Sequence, residues 1–593
     1  MKIMRITLFL LFITTGLFAT APWQSKLSDE LLAELERGGT ERILVRFEAQ
    51  ADLSAAPLLR EKAQKAEYVY RQLSEVAQSS QQEVQALLND RQVPFRAFVM
   101  VNALAIEQAD LELVRQLAEH PEVARVMPNP WTRLEDMARP LTPTPDLRGG
   151  PQEVEWNIAH INAPQVWDMG YRGAGVVIGN QDTGIDWDHV ALINQYRGYE
   201  ENGTVEHAYN WFDAIGMASP LNNDDDPNDP AVNPCGFNSE EPCDDNGHGT
   251  YTVGISVGEE GENQVGVAPG AEWIGCRNMD RGWGSPETYL ACFEFFLAPT
   301  DLNGENPDPA RAPHVINNSW GCPEVEGCNE DNFALLETAV NNLKAAGVVV
   351  VVSAGNSGPN CSSVSNPAAI FQNSFTVGAT NQLDTIANFS SRGPVVVGTD
   401  MPYRKPDISA PGVNIRGPRR FDTYNSGSGT SAAGPHVAGL VALLINANPA
   451  LAGQVETIED IIEQTALGVE SDQDCGAFNG MGIPNISYGY GRIDALAAVN
   501  MALTLVDTKE LPGLNGLQIA PNPTTGSVVI QSEANLGRVT VKVSDVHGIV
   551  RSQVVTLNRG EFFSLDLSGE AAGVYFVRIG NGERFWMERV VRL

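Results

Sequence analysis

Gly175-Val-Val-Ile-Gly-Asn-Gln-Asp-Thr-Gly-Ile-Asp186 opens on a short β-branched run and closes on two acids either side of a Thr-Gly turn. The run has no polar alternation, so both faces of the strand it predicts must be covered. That is the pattern of a parallel sheet wrapped by helices. Val348-Val-Val-Val-Val352 and Ser374 to Gly378 repeat the texture, with small-residue helical stretches between the strands. Residues 151–505 therefore read as one α/β domain. Asp182 falls at the carboxyl end of its strand, where open parallel sheets gather their ligands. A carboxylate there is weak evidence alone, because turn and capping acids are common.

Two further stretches give that acid partners. Asn246-Gly-His-Gly-Thr250 sets His248 between glycines, ahead of a small apolar helix from Tyr251 to Val257, and leaves the imidazole open to a neighbour. Gly429-Thr-Ser-Ala-Ala-Gly-Pro-His-Val-Ala-Gly439 puts Ser431 at the start of a helix that runs on through Leu440 to Ile445. Unpaired amides and the helix dipole favour developing negative charge at such a place. Ala432, Ala433 and Gly434 keep the first turn slim, so a substrate can reach the hydroxyl. A hydroxyl, a neutral imidazole to take its proton and a buried carboxylate to orient that imidazole are the parts of serine acyl transfer. Singly, each is read more simply as a helix cap, a structural histidine or a turn acid; the three settings together outweigh those readings. Ser353-Ala-Gly-Asn-Ser-Gly358 follows the strand Val349 to Val352 and offers the Asn356 amide to a cleft, as an oxyanion donor or a plain turn residue. Asp-Thr-Gly also occurs in aspartic proteases, but those need a second copy, and no other suitable one occurs.

These blocks, in the order Asp, His, Ser, resemble the subtilisin (subtilase) family; chymotrypsin-like proteases and α/β-hydrolases carry the triad in other orders. Gly266-Val-Ala-Pro-Gly-Ala271, Asn317-Asn-Ser-Trp-Gly321, Ser391-Arg-Gly-Pro394 and Lys405-Pro-Asp-Ile-Ser-Ala-Pro-Gly412 extend the resemblance over about residues 154–503. Tyr196-Arg-Gly-Tyr199, Tyr209-Asn-Trp-Phe-Asp213 and Leu297-Ala-Pro-Thr-Asp301 are similar to the bacillopeptidase F subgroup. The resemblance implies Ser431 as nucleophile, His248 as general base and then acid, and Asp182 as the group that holds the imidazole. It implies Asn356 with the Ser431 amide as oxyanion hole. Ser319, Trp320 and Gly321 with Ser353, Ala354 and Gly355 become the segments that line the first specificity pocket and pair with an extended substrate by strand addition. No cofactor is implied for the chemistry. Two features depart from the family pattern. Tyr251 stands where a second, non-catalytic histidine is usual, and Leu221-Asn-Asn-Asp-Asp-Asp-Pro-Asn-Asp229 is an acidic insert. The insert offers oxygen ligands for a structural calcium ion, or is a solvated loop, and does not fit an EF-hand; the metal residues stay unassigned.

The flanks differ in texture. Lys2 and Arg5 precede the apolar run Ile6 to Phe18 and small residues at Ala19-Thr-Ala21, the layout of a secretory signal peptide over residues 1–21, too short for a comfortable membrane span. In residues 22–150, Glu41 to Glu48, Phe95 to Val101, Ala103 to Glu107 and Val123 to Met127 read as strands. Leu58 to Gln92 and Ala109 to His120 read as helices, giving the ferredoxin-like βαββαβ order. This unit resembles the subtilisin inhibitor prodomain, which implies an intramolecular inhibitor and self-cleavage near residues 130–155. Arg139 to Asp146, with three prolines, reads as an extended linker. In residues 506–593, Gly526 to Gln531, Val539 to Ser544 and Gly573 to Ile579 read as strands of a small β-sandwich. Ile519-Ala-Pro-Asn-Pro-Thr-Thr-Gly526, Val546-His-Gly548 and the ending Glu588-Arg-Val-Val-Arg592 resemble the type A sorting domain of the type IX secretion system. That implies export through the periplasm to the cell surface or the medium.

Composition bounds the rest. The 593-residue chain is 43% hydrophobic and 19% charged, as in soluble multidomain proteins. Its net charge of −35 argues against nucleic acid as a partner. Eight cysteines in an exported chain favour disulfides; Cys235/Cys243 and Cys322/Cys328 are candidates for local bridges. There is neither a Cys-x-x-Cys nor a His-Glu-x-x-His pattern to support zinc. The expected protein is a secreted, self-processed serine endopeptidase acting on proteins and peptides. The alternative is a catalytically inactive surface-binding protein on the same fold, which the presence of all four chemical residues disfavours.

Overall fold

The computed structural model describes residues 22–134, 154–505 and 517–592, apart from positions 201, 399–400, 480, 533–534, 546–547 and 581–584. The expected signal peptide and the proline-rich linker lie outside the described residues.

The N-terminal unit is built from β1 (Glu41–Phe47), α1 (Lys62–Asp90), β2 (Phe95–Phe98), β3 (Ala103–Ala109), α2 (Leu111–Glu119) and β4 (Val123–Pro128). Its strands form an antiparallel sheet in the order β2-β3-β1-β4, the ferredoxin-like arrangement. Helix α1 starts four residues later than the apolar pattern suggests, because Pro57 sits in a 3-10 turn and Leu59 is extended. A further helix, Asp29–Glu36, is capped by the Ser28 side chain accepting from the Leu31 amide; the Ser-Asp-Glu start is its sequence signal. On one face of the sheet Ile43, Val45, Phe47, Leu104 and Ile106 pack under the unit's own helices. The other face, with Leu44, Ala103, Ala105 and Met127, belongs to the core of the next domain. A short strand, β5 (Thr132–Arg133), continues from this unit.

The central domain carries a seven-stranded parallel sheet. Its strands are β6 (Val177–Asp182), β7 (Trp211–Asp213), β8 (Glu272–Arg277), β10 (Val315–Asn318), β11 (Val349–Ser353), β12 (Phe375–Thr380) and β13 (Ile408–Pro411); the short β9 (Trp283–Gly284) lies outside it. The order is β13-β12-β11-β10-β6-β8-β7, with β6 inside. Strand β6 runs further than its apolar run. The polar residues at its end are buried because they bond to one another: Asn317 Nδ2 donates to Asn180 Oδ1 at 3.1 Å and Asn278 Nδ2 to Gln181 Oε1 at 3.2 Å. One face of the sheet is covered by α3 (His248–Val257) and α6 (Thr430–Ala447), the other by α4 (Pro286–Leu297) and α5 (Glu330–Ala345). Among the described residues only α6 is long and apolar enough to cross a membrane, and 94% of it is buried inside the protein, as expected of a central core helix. Four disulfides, Cys235–Cys243, Cys276–Cys292, Cys322–Cys328 and Cys361–Cys475, use all eight cysteines.

The C-terminal region is a two-sheet sandwich. Leu517–Ala520, Ser527–Ser532 and Phe562–Asp566 form one antiparallel sheet; Gly537–Asp545, Gly548–Leu557, Gly573–Gly580 and Phe585–Arg592 form the other. Val528 and Ile530 point inward and Val529 outward, the alternation that defines a half-buried strand.

Candidate functional site

Asp182 ends β6 with its carboxylate fully buried. Oδ1 accepts from the Thr183 amide at 2.7 Å, and Oδ2 from Thr252 Oγ1 at 3.3 Å. Both oxygens face His248 Nδ1, at 2.7 and 2.8 Å. An ionised carboxylate can only accept, so Nδ1 carries the proton and Nε2 the lone pair. Nε2 is buried with no hydrogen-bond partner.

Local sequence fixes this pair. Gly247 caps α3 at φ 93°, so His248 is the first helical residue, three earlier than the apolar pattern suggests. A Cβ on Gly249 would collide with the Gly184 carbonyl and reach Asp182 Cβ, so only glycine lets the acid and histidine segments approach. The buried Asp244 binds the segments together: it accepts from Thr183 Oγ1 at 2.9 Å, the Gly247 amide at 2.7 Å and the Thr250 amide at 3.0 Å. In turn Thr183 Oγ1 accepts from the Gly249 amide at 3.0 Å.

Ser431 is the second residue of α6 and is 4% exposed. The start of α6 packs on α3: Ala432 shares a core cluster with Tyr251 and Ile255, and Ser256 Oγ donates to the Pro435 carbonyl at 3.1 Å. The Ser431 hydroxyl makes no hydrogen bond to His248 Nε2 in this structure. Catalytic hydrogen bonds of this kind are often loose before substrate arrives. The other histidine of the Ser431 stretch is committed elsewhere. His436 Nδ1 bonds to the Ala432 carbonyl and Nε2 to Asn157 Nδ2, both at 2.8 Å, and burial pushes its pKa down to about 4.

Asn356 follows β11, and its Oδ1 accepts from the Thr430 amide at 2.9 Å and Thr430 Oγ1 at 3.0 Å. Those bonds fix which way the amide faces and tie it to the residue preceding Ser431. One pocket is lined by Ser319, Trp320, Gly321, Ser353, Ala354, Gly355, Asn356 and Ser431, with Asn366 and Thr430 among the rest of its wall. All the residues predicted for substrate binding thus meet Ser431 in one place. Tyr251 is buried, donates to the Ile415 carbonyl at 2.9 Å and lies under the Arg419 guanidinium. Thr252, Asp244 and Thr430 position the site and were not singled out in the sequence. Their spacing to the acid, histidine and serine is visible only once the fold brings them together. No group of three or more metal-ligating side chains occurs among the described residues. In the acidic insert Asp224 is engaged by Arg281 at 2.7 Å.

Fold and site define an α/β protein whose cleft opens at the carboxyl end of a parallel sheet, beside a buried carboxylate–imidazole pair. The subtilase family profile matches residues 173–491, and a secretion system C-terminal sorting domain profile matches residues 518–592. Bacillopeptidase F of Bacillus subtilis (strain 168) is 35% identical over 511 residues, 80% of this chain and 32% of that protein. Serine protease AprX of the same organism is 34% identical over 282 residues, 43% of this chain and 58% of that protein. Subtilisin Savinase of Lederbergia lenta is 31% identical over 349 residues, 58% of this chain and 99% of that protein. The chain spans 32% of the length of Bacillopeptidase F and 58% of that of AprX. It belongs to the subtilase family.

Proposed function

We propose that the protein is an exported serine endopeptidase that hydrolyses protein and peptide substrates through Asp182, His248 and Ser431. The observation that carries this reading is the buried His248, gripped at Nδ1 by both oxygens of Asp182 with its Nε2 lone pair left unspent. In this reading Nε2 takes the Ser431 proton as the hydroxyl attacks the peptide carbonyl, and returns it to the leaving amine. Asp182 stays ionised and stabilises the imidazolium that forms. The charge that develops on the carbonyl oxygen is met by the Asn356 amide and the Ser431 backbone N–H. Water then hydrolyses the acyl-enzyme by the same proton route. The chemistry calls for no cofactor.

Residues 22–134 act as an intramolecular inhibitor, and β5 supports this by pairing antiparallel with β9 beside the site, with Leu134 N donating to the Gly282 carbonyl at 2.8 Å. Activation is then self-cleavage downstream of Leu134, within the interval to residue 155. Residues 506–593 are the sorting domain read by the type IX secretion machinery, which carries the chain from the periplasm to the surface or the medium. Nucleic acid is not a partner of so acidic a protein. A serine-directed fluorophosphonate should label Ser431 and abolish casein hydrolysis. Ser431→Ala should lower hydrolysis by about a million-fold and leave the N-terminal unit attached. Casein hydrolysis by purified Ser431→Ala protein, or its self-processing in isolation, would end the proposal.

A further inference from the structure

Strand β2 pairs with β3 so that Arg96 stands opposite Ala105 and Phe98 opposite Ala103. Ala103 and Ala105 lie on the sheet face that packs on the central domain, so strand alternation turns Arg96 toward that domain as well. Two other arginines of the unit cross the interface in ion pairs, Arg42 with Glu287 and Arg125 with Asp331. Arg96 does not. Its Cζ lies 5.2 Å from the centre of the Phe212 ring and 5.7 Å from that of Phe98. Among the described residues no acceptor takes a hydrogen bond from it, and burial holds its pKa below the ordinary arginine value, against the pull of Glu287, Glu294 and Asp213. A guanidinium carries five donors, and leaving them unused while water is withdrawn is costly.

Arg96 lines a cavity of about 640 Å³ between the two units. Tyr70 and Val99 join it from the N-terminal unit, and Phe212, Phe295 and Asn303 close it from the central domain. Phe212 and Phe295 are stacked, with centroids 5.5 Å apart and planes 18° apart, and make an apolar floor beneath the charge. The acids of the wall are already engaged. Asp213 accepts from the Ile215 amide at 3.0 Å, the Ser239 amide at 2.8 Å and Arg277 at 3.0 Å. Glu294 accepts from the Met100 amide at 2.8 Å, and burial pushes its pKa up to about 6. An unspent cation above stacked rings, in a space of ligand size, suits an anion with an apolar body.

We infer that this cavity is a binding site for an organic carboxylate with an aromatic or aliphatic body, and that its occupant holds the N-terminal unit in place. The carboxylate accepts from Arg96 while the body lies against Phe212 and Phe295. Because the walls come from both units, the ligand binds the docked state and loses its site on release, so it favours docking. The binding stands on the geometry alone; its effect on activity rests on the reading of residues 22–134 as an inhibitor. A free organic acid and the carboxyl terminus of a cleaved peptide share this chemistry, and the test separates them.

Binding is measured by calorimetry on the full-chain Ser431→Ala protein, with 4-phenylbutyrate as the free acid and N-acetyl-leucyl-phenylalanine as the peptide carboxyl terminus. At least one should bind with a Kd of about 0.1–1 mM, and the tighter of the two names the source. Its carboxamide, acetate and inorganic phosphate should each bind at least about tenfold more weakly. Arg96→Gln should weaken the acid by at least about tenfold. Leu302→Trp, at the exposed lip of the cavity, should do so by bulk and serves where Arg96→Gln does not fold. In the wild type, the acid at about ten times its Kd should delay the onset of casein hydrolysis about tenfold and leave the rate of fully processed enzyme unchanged. No binding of either acid, a carboxamide or phosphate bound as tightly, or unaltered affinity in both variants would overturn the site. An unchanged onset, or equal inhibition of processed enzyme, would overturn its hold on the N-terminal unit. Failure of the wild type to hydrolyse casein would instead strike the endopeptidase reading, with the calorimetry still deciding the site.

Discussion

The N-terminal unit and the C-terminal sandwich are both small β-containing regions, yet they bury their surfaces in opposite ways. The sandwich core is assembled from its own residues, Val528, Ile530, Val541, Leu565 and Val577 among them. The N-terminal sheet keeps one face for its own helices and spends the other on α4 and α5. Polar contacts reinforce that second face. Glu294 accepts from the Met100 amide at 2.8 Å, Asn342 Nδ2 donates to the Met100 carbonyl at 2.6 Å, and Arg125 Nε donates to Asp331 at 2.9 Å. From α1, Lys62 and Lys65 each donate to a carbonyl of the central domain, those of Ala312 and Gly453, at 2.6 Å. A region that completes its core alone can be carried as a passenger, whereas one whose core is shared becomes part of its neighbour's folding problem.

The sharpest way to break that contrast is to remove each region in turn. The central parallel sheet joins strands far apart in sequence, the kind of topology that folds slowly. A ready-made sheet face against α4 and α5 gives those helices a docking surface early. Omitting residues 22–134 should cut the yield of active enzyme on refolding by more than about a hundredfold, whereas omitting 517–593 should change it by less than about twofold. The measurement is casein hydrolysis per mole of refolded chain. Comparable yields from the two truncations would mean that the shared core does not guide folding.

The sequence made much of this legible, and unevenly. The central strands could be read because burial on both faces leaves a continuous apolar run at Val349 to Val352 and only Thr376 as a break between Phe375 and Val377. Asp182, His248, Ser431 and Asn356 could be read because each sits in a glycine-rich setting that admits few other uses. Cys235–Cys243 and Cys322–Cys328 are 8 and 6 residues apart and could be paired by proximity. Cys361–Cys475, 114 apart, could not. The same limit hid Asp244 with Thr183 and Thr430 with Asn356, since each pair is made by tertiary approach and neither partner has a distinctive local pattern. The docking face of β1 was hidden for another reason. Leu44 between Ile43 and Val45 reads as one more strand residue until a second layer is seen to cover it.

Electrostatics at the shared interface gives a finer test. Glu287, in the first turn of α4, lies 3.3 Å from Arg42 and 2.9 Å from Asn129 Nδ2, both in the N-terminal unit. Burial pushes its pKa up to about 7, helped by the adjacent Glu107, against the pull of Arg42 and Arg96. A carboxyl whose pKa is raised in the docked state binds more protons there than after release. Its contribution therefore favours docking below its ordinary pKa and is lost as pH rises through about 7. Glu287→Gln keeps the size of the side chain and removes this titration together with the charge that faces Arg42. At pH 5 variant and wild type should release the N-terminal unit at similar rates. At pH 8 the wild type should release it about tenfold faster than the variant, read as the onset of casein hydrolysis after processing. A ratio that stays flat from pH 5 to 8 would show that Arg42 fully compensates the charge.

The smallest effect on hydrolysis is expected from the region with its own core. Ile530 is fully buried in the sandwich and Val529, its neighbour on the same strand, is 40% exposed. Ile530→Ala should cost the sandwich about 2–4 kcal/mol, enough to threaten a region of this size, and Val529→Ala less than about 0.5 kcal/mol. Neither should change kcat/KM on casein by more than about twofold, because Val529 and Ile530 lie outside the core clusters of the central domain, against which the sandwich packs through Phe576 on another strand. Limited proteolysis of the C-terminal region, run beside the activity assay, separates the outcomes. Cleavage of the Ile530→Ala sandwich with full peptide hydrolysis is what independence requires. A parallel loss of both would mean that the sandwich, like the N-terminal unit, supports the central domain.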